Sequence, residues 1–575
     1  MPRQWIISPP WPGCAGAARR IGTPPLIAQL LCNRGITETD AARAFLNPEL
    51  KTLHPPEQLP GAVEAAAIIS EKIRRHRPIV IYGDYDVDGI AGTAIMWHVL
   101  RLAGAGVSFY IPHRLEEGYG VNADALRQLR REGAETVITV DCGITALEEA
   151  RVAREIGLTL IITDHHTPGT ALPEADAIVH PEVGTGYRNP DLCGAGVAFK
   201  LAWAVARTMS RSERVTPEFR QFLIDATGLA ALGTIADVVP LTGENRVLAR
   251  FGLLGLTESR LTGLRALIES ARLADQKINS EHVGFWLAPR LNAAGRMGHA
   301  QLAAELLTSA DEARAKEIAI YLEEHNRGRQ AVERRIFKEA CEQIEAHNLA
   351  SDARRAIVLA GEGWHAGVIG IVASRIVDRF GRPTVMIAIE NGQGQGSARS
   401  IPHFELHRAL ADCAEYLEAY GGHAMAAGLR IKSENVEPFT EAFIARANQR
   451  LTGKDLAPAV RLDAEVELHE LTEPFVRQLQ QLAPFGTGNP KPRFASNLLQ
   501  LDGEPRVVGK TGGHLQFSLT DGRNRRRVIA FNQEDQLQPL LDHRRCRLAF
   551  QPILNTFNGR TSVELQAIDI AFPEK

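Results

Sequence analysis

The chain has 575 residues, 45% of them hydrophobic, which is enough for several cored domains and excludes a disordered chain. Its formal net charge of -3 excludes a globally basic protein, so any nucleic-acid contact must come from local patches. Seven scattered cysteines with no C-x-x-C pair argue against a disulfide framework or a zinc finger and fit a reducing compartment.

The first ten residues lack the apolar core of a signal peptide, and no stretch approaches the ~20 apolar residues of a membrane span. These features lead us to expect a soluble, cytoplasmic protein with no membrane association. Residues 1–60 are Pro-rich and are expected to wrap a neighbouring domain. From 61 to about 182, strand and helix patterns alternate. The strands are Ile79–Tyr82, Val107–Ile111, Thr136–Val140, Thr159–Thr163 and Ala177–His180. The helices are Thr93–Leu102, Ala123–Glu132 and Thr145–Ile156. This order predicts a parallel sheet with helices on both faces. Residues 191 to about 300 read as mostly helical. Ser309-x-x-Glu312 has the form of a capping box and opens a charged helix to about Asn348, broken only by Gly328. The pattern returns to α/β over 353–447, with strands at Ala356–Leu359 and Thr384–Ile389 around a helix at Val368–Phe380. From 460 onward short strands between Gly and Pro turns predict a small β-barrel. The boundaries expected are 1–60, 61–308, 309–348, 349–452 and 458–575.

"IYGDYDVDGIAG" (81–92) sets Asp84, Asp86 and Asp88 at alternate positions. An EF-hand would need Glu at loop position twelve, where the chain has Ile95, and a helix rather than a strand before the loop. Two more strands end similarly, one in Asp141-Cys-Gly and one in Asp164-His165-His166. Asp237 closes a helical run before Pro240. In an open α/β sheet the carboxyl ends of the strands form the ligand crevice, so these groups are expected to face one another. A single Asp there is usually a cap or turn former. Three such clusters in successive βα units are better explained by metal. Carboxylates with imidazole suit a divalent ion such as Mn²⁺, and clustered Asp repel unless cations neutralise them. Two ions about 3.5–4 Å apart would clamp a phosphoryl displacement.

"DYDVDG", "VDCG", "TDHH" and "ADVVPL", in that order, resemble the motifs of the DHH phosphoesterases. "YIPHRLEEGYG" (110–120), "APRLNAAGRM" (288–297), "GWHAGVIGIVASR" (363–375), "GSARS" (396–400), "YGGHAMAAG" (420–428) and "PFGTGNPKPRF" (484–494) narrow the resemblance to the RecJ type of single-strand-specific 5′→3′ DNA exonuclease. The resemblance runs from about 60 to about 570. It implies an α/β fold with a parallel-sheet DHH catalytic domain, a long connecting helix, a DHHA1-type domain and a C-terminal OB-like barrel. It implies that Asp84, Asp86 and Asp141 hold one ion and that Asp88, Asp141, His165 and Asp237 hold the other. Both ions would be Mn²⁺ by preference, with Mg²⁺ as the substitute. His166 would stand beside the scissile phosphate, and Arg114 would touch substrate.

Arg290, Asn292 and Arg296 in "PRLNAAGR" read as phosphate contacts, weighed against ordinary salt bridges. Ser397 and Arg399, with Gly421, Gly422 and His423, resemble the DHHA1-type grip on the substrate end, including a 5′ phosphate. "VVGKTGG" (507–513) has Glu504 where a nucleotide P-loop needs Gly, so ATP use is not expected. Residues 505–560 carry ten Lys/Arg against four acids, interleaved with Phe517, Phe531, Phe550 and Phe557, as OB-folds that hold single strands do. The expected function is two-metal hydrolysis of single-stranded DNA in repair and recombination. The resemblance adds a closed passage that admits one strand, and a single-strand-binding protein or a helicase as partners. The alternatives are a DHH-type phosphodiesterase on short oligonucleotides or cyclic dinucleotides, and a catalytically dead nucleic-acid binder.

Overall fold

The computed structural model describes residues 3–113, 117, 120–212, 214–296, 299–509 and 512–573. The chain divides into two compact units. One is Ile7–Glu323 with Arg461–Lys575, and the other is Met1–Ile6 with Glu324–Val460.

The larger unit contains a five-stranded, wholly parallel sheet. Its order is Val107–Tyr110, Ile79–Gly83, Thr136–Val140, Thr159–Thr163, Ala177–Val179. Ile79–Gly83 and Thr136–Val140 are buried at every position, as strands covered on both faces must be. The helix expected from Thr93 begins earlier and runs Val87–Leu102. The cause is Asp86, whose Oδ1 accepts the N–H groups of Asp88 (2.8 Å) and Gly89 (3.1 Å) and caps the helix. Asp86 therefore caps the helix and Asp88 lies in its first turn, while Asp84 precedes the cap. Helices Gly194–Ser210, Pro217–Ala236 and Gly243–Thr257 follow, and all three join Val87–Leu102 in one apolar core.

The first sixty residues hold three short helices, Cys14–Ile21, Pro25–Asn33 and Thr39–Leu46. Ile27, Leu30, Leu31, Phe45 and Leu46 share a core with Leu515, Phe517, Val528 and Phe550 of the C-terminal barrel. Arg246 is buried where this segment, the Gly243–Thr257 helix and the 481–484 turn meet. Its guanidinium donates to the carbonyls of Phe45 (2.8 Å), Leu482 (2.9 Å), Ala483 (3.0 Å) and Gln481 (3.2 Å) and lies 3.7 Å from the Phe45 ring centre.

In the barrel, Leu499–Leu501, His514–Thr520, Arg525–Ala530, Arg560–Ala571 and Arg545–Phe557 pair in that order. The last strand pairs again with the first, so the five close into a ring. Phe517 and Phe550 are core, whereas Phe531 and Phe557 are exposed.

A continuous helix runs Glu312–Ala346, unbroken at Gly328, and the division between the two units falls inside it. The capping box expected at Ser309 and Glu312 is not made. Ser309 closes the preceding helix, and Asp311, immediately before the first helical residue, accepts the Arg314 N–H at 2.9 Å instead. The smaller unit carries a mixed sheet ordered Ala419–Gly422, Ala426–Lys432, Gln393–Arg399, Thr384–Glu390, Ile357–Glu362. Among the described residues no helix is long and apolar enough to cross a membrane.

Candidate metal centre

Three strands end side by side and deliver the acidic groups to one edge of the parallel sheet. Asp84 follows Ile79–Gly83, Asp141 follows Thr136–Val140, and Asp164-His165-His166 follows Thr159–Thr163. Asp237 arrives from the C-terminus of the Pro217–Ala236 helix. Three groups bring their ligand atoms within 4.8 Å of one another: Asp84 with Asp86 and Asp141, Asp88 with His165 and Asp237, and Asp141 with His165 and His166. Asp141 belongs to two of them. His165 Nε2 lies 3.1 Å from Asp141 Oδ1, 3.6 Å from Asp237 Oδ2 and 3.8 Å from Asp88 Oδ2.

Asp86 and Asp88 are held by the backbone around them. Asp88 accepts the N–H groups of Gly194 (2.5 Å) and Ala195 (2.9 Å) at the start of the Gly194–Ser210 helix, where the helix dipole favours negative charge. Two glycines leave room for this. A Cβ on Gly233 would stand 2.3 Å from Asp88 Oδ1, and one on Gly194 would stand 2.5 Å from Asp141 Oδ1. Asp141 itself sits at φ +65°, a left-handed conformation that costs an ordinary residue ~1–2 kcal/mol.

Asp84 Oδ1, Asp141 Oδ1 and His165 Nε2 are buried and make no hydrogen bond among the described residues. Buried polar atoms are ordinarily satisfied, and these three converge, so the donor set fits divalent cations. Electrostatics agree. Burial, and then the Asp86 charge, push Asp84 up to about 8. Burial and then Asp88 do the same to Asp237, also to about 8. Burial, then the charges of Asp88 and Asp86, hold Asp141 well above the usual carboxylate range. Burial lowers His165, leaving a neutral imidazole suited to ligation.

His166 differs. Burial opposes its charge, but the hydrogen bond and charge of Asp164, with Asp237 and Asp84 behind, raise it to about 9. Asp164 Oδ1 lies 2.7 Å from His166 Nδ1 and accepts the backbone N–H groups of His165 (2.7 Å) and His166 (3.1 Å), while Oδ2 accepts the Ile144 N–H at 2.9 Å. Sequence reasoning quoted Asp164 and gave it no role. Its signal was adjacency to two histidines. Gly194 and Gly233 were also missed, since only the fold shows what approaches them.

Of the substrate contacts expected, Arg114 and the side chain of Arg296 lie outside the described residues. Arg290 pairs with Glu323 at 2.7 Å, a carboxylate outside the acidic cluster. The helix that carries Arg290 and Asn292, Ala288–Arg296, reaches the metal loop. A Cβ on Gly295 would stand 2.6 Å from the Tyr85 carbonyl oxygen. The remaining contacts fall in the smaller unit and share one sheet. Gly421 is in register with Gly428 and Gly428 with Ser397, Gly422 pairs with Ala427, and Arg399 pairs with Ala426. His423 is exposed and donates its backbone N–H to the Ala426 carbonyl at 2.8 Å. Arg399 donates to Ser397 Oγ at 3.2 Å, and burial lowers its basicity.

The profile of the DHH family, N-terminal domain, matches residues 78–233, that of the DHHA1 domain 353–449, and that of the RecJ OB domain 462–569. The single-stranded-DNA-specific exonuclease RecJ of Bacillus subtilis is 39% identical over 96% of this chain and 68% of that protein. The Escherichia coli protein of the same name is 32% identical over 96% of each. The crystal structure of RecJ with Mn²⁺ from Thermus thermophilus superimposes with a TM-score of 0.84 at 33% identity, covering 100% of this chain and 80% of that one. In sequence over nearly its whole length, and in fold, the chain belongs to the RecJ family.

Proposed function

We propose that this chain is a metal-dependent exonuclease that hydrolyses single-stranded DNA from its 5′ end in DNA repair and recombination. The observation that carries the reading is the convergence of three buried ligand atoms without hydrogen bonds on one edge of the sheet, in a chain whose relatives are named single-stranded-DNA-specific exonucleases. Crystal structures of the Thermus thermophilus relative hold Mn²⁺ and Mg²⁺, which supports divalent-ion binding here.

Asp84, Asp86 and Asp141 would hold one ion, and Asp88, Asp141, His165 and Asp237 the other. Bound there, the ions supply charge neutralisation at the phosphate and activation of a water. The protein's own share is orientation and proton management. The His166 imidazolium, held by Asp164, faces the reacting phosphate as electrostatic stabiliser or proton donor. Asn292 and Arg296 extend the phosphate contacts from the helix packed on Tyr85, and Arg290 and Arg114 complete them. We assign Ser397, Arg399, Gly421, Gly422 and His423 to the substrate's 5′ end. Arg399 has no carboxylate partner among the described residues, as a guanidinium awaiting phosphate would not.

By region, 61–308 is the catalytic domain, 309–348 the connecting helix, 349–452 the end-binding domain and 458–575 the strand-binding domain, with 1–60 as a brace. The barrel argues against a substrate limited to dinucleotides, and the complete ligand set argues against a dead site. A cytoplasmic location, and a single-strand-binding protein or helicase as partner, belong to the same reading.

The test is a DNA oligomer labelled at its 3′ end, incubated with Mn²⁺ and either wild type or Asp141→Asn. Progressive shortening by wild type alone is the expected result. An intact strand that is still retarded on a gel would favour a binder, and neither cutting nor binding would end the exonuclease reading.

A further inference from the structure

His180 follows the Ala177–Val179 strand, is fully buried, and belongs to none of the groups assigned above. Both of its ring nitrogens are committed. The backbone N–H of Glu182 donates to Nδ1 at 3.0 Å, and Nε2 lies 2.8 Å from the carbonyl oxygen of His166. An amide N–H can only donate and a carbonyl can only accept. Nδ1 is therefore the bare nitrogen and Nε2 carries the proton. A doubly protonated ring would set one N–H against another, so the geometry selects a single neutral tautomer.

The contact completes a clamp. Asp164 takes the backbone N–H and the Nδ1 of His166 from one side, and His180 takes its carbonyl from the other. Every hydrogen-bonding group of the His166 backbone is then fixed. The strand that leads into His180 is itself anchored, because Asp164 N–H donates to the Val179 carbonyl at 3.2 Å.

We propose that His180 is a positioning residue for the hydrolysis, setting the direction of the His166 ring through the Nε2–H donated to the His166 carbonyl. The proposal rests on the catalytic role given to His166 above. A ring that swings by about 1 Å at a reacting phosphate loses rate and not substrate affinity.

Three variants separate this from a general packing role. His180→Ala removes both hydrogen bonds. His180→Asn keeps an acceptor where Nδ1 stands and loses reach to His166. His180→Gln restores a donor at the distance of Nε2. With single-stranded DNA and Mn²⁺, kcat is expected to fall about tenfold to a hundredfold in the Ala and Asn variants. KM should stay within about twofold of wild type, and the Gln variant should recover most of the rate. Tm is measured for all three. Rates that follow Tm across the series, or an Asn variant as fast as wild type, would overturn the proposal.

A second readout needs no activity. In metal-free, histidine-¹⁵N-labelled protein, the resonance that disappears in His180→Gln should show the Nε2–H tautomer. An Nδ1–H tautomer or an imidazolium would overturn the proposal even if the enzyme works. A wild type inactive on DNA would instead strike the functional reading and leave the tautomer result standing.

Discussion

Asp164 and His166 are joined twice through one oxygen. Asp164 Oδ1 meets His166 Nδ1 at 2.7 Å and also accepts the His166 backbone N–H at 3.1 Å. Burial alone would raise the Asp164 carboxyl, but the His166 hydrogen bond and charge, together with the backbone N–H groups of Ile144 and His166, outweigh it and hold it below the usual range. The pair is thus an oriented imidazolium on an ionised carboxylate.

Asp164→Asn should remove that charge without removing an assigned metal ligand. A loss of about a hundredfold in kcat is expected, with Mn²⁺ affinity within a few-fold of wild type. Steady-state kinetics beside a calorimetric Mn²⁺ titration checks both.

Gly233→Ala should do the opposite. Its added methyl meets Asp88 Oδ1 at 2.3 Å, against a carboxylate already fixed by two backbone N–H groups. Mn²⁺ affinity should fall by roughly tenfold or more, as for other supporting residues of metal sites. Circular dichroism should remain that of wild type.

Metal-free stability should depend on pH in a fixed direction. Asp84 and Asp237 reach about 8 in the folded state, against the ordinary ~4 of an unfolded carboxylate. A group raised in this way contributes its full stability below about pH 4 and loses it as pH rises through about 8. The metal-free Tm should therefore fall between pH 5 and pH 9. Mn²⁺ binding releases these protons, so the rise in Tm on adding Mn²⁺ should be larger at pH 8.5 than at pH 6. Scanning calorimetry with and without the ion reads both slopes.

Arg246→Ala should destabilise the protein by about 3 kcal/mol or more, because several buried carbonyls lose their donor together. Burial already lowers this guanidinium to about 9, with no carboxylate partner among the described residues to compensate. Urea unfolding followed in the barrel and in the catalytic sheet tests whether one side chain holds both. Arg246→Lys should fail as well, since an ammonium cannot span the fork of carbonyls.

Much of the catalytic sheet was legible because buried parallel strands read as unbroken apolar runs. Thr136–Val140 and Thr159–Thr163 fall at the expected residues. Helix starts were less legible, since capping depends on which carboxylate turns back on the backbone. Asp86 moved one start to Val87, and Asp311 took a cap expected of Ser309. The convergence of the acidic and imidazole groups could be read from strand ends because α/β topology fixes where those ends lie. Asp164, Gly233 and His180 could not, because their roles consist of contacts with residues distant in the chain. The Arg290–Glu323 ion pair was not legible for the same reason, since Glu323 is distant in the chain.

The larger unit is built from two separated segments, Ile7–Glu323 and Arg461–Lys575, with Glu324–Val460 synthesised between them. Ile27, Leu30 and Phe45 leave the ribosome with an apolar face whose cover, the barrel core, follows only after Arg461. At ~5–20 residues per second that face waits for roughly 20–80 s. Nascent chains should therefore be held by a chaperone through this interval, and ribosome-bound chains stopped before residue 460 should be cut by protease within the first fifty residues while the catalytic sheet resists.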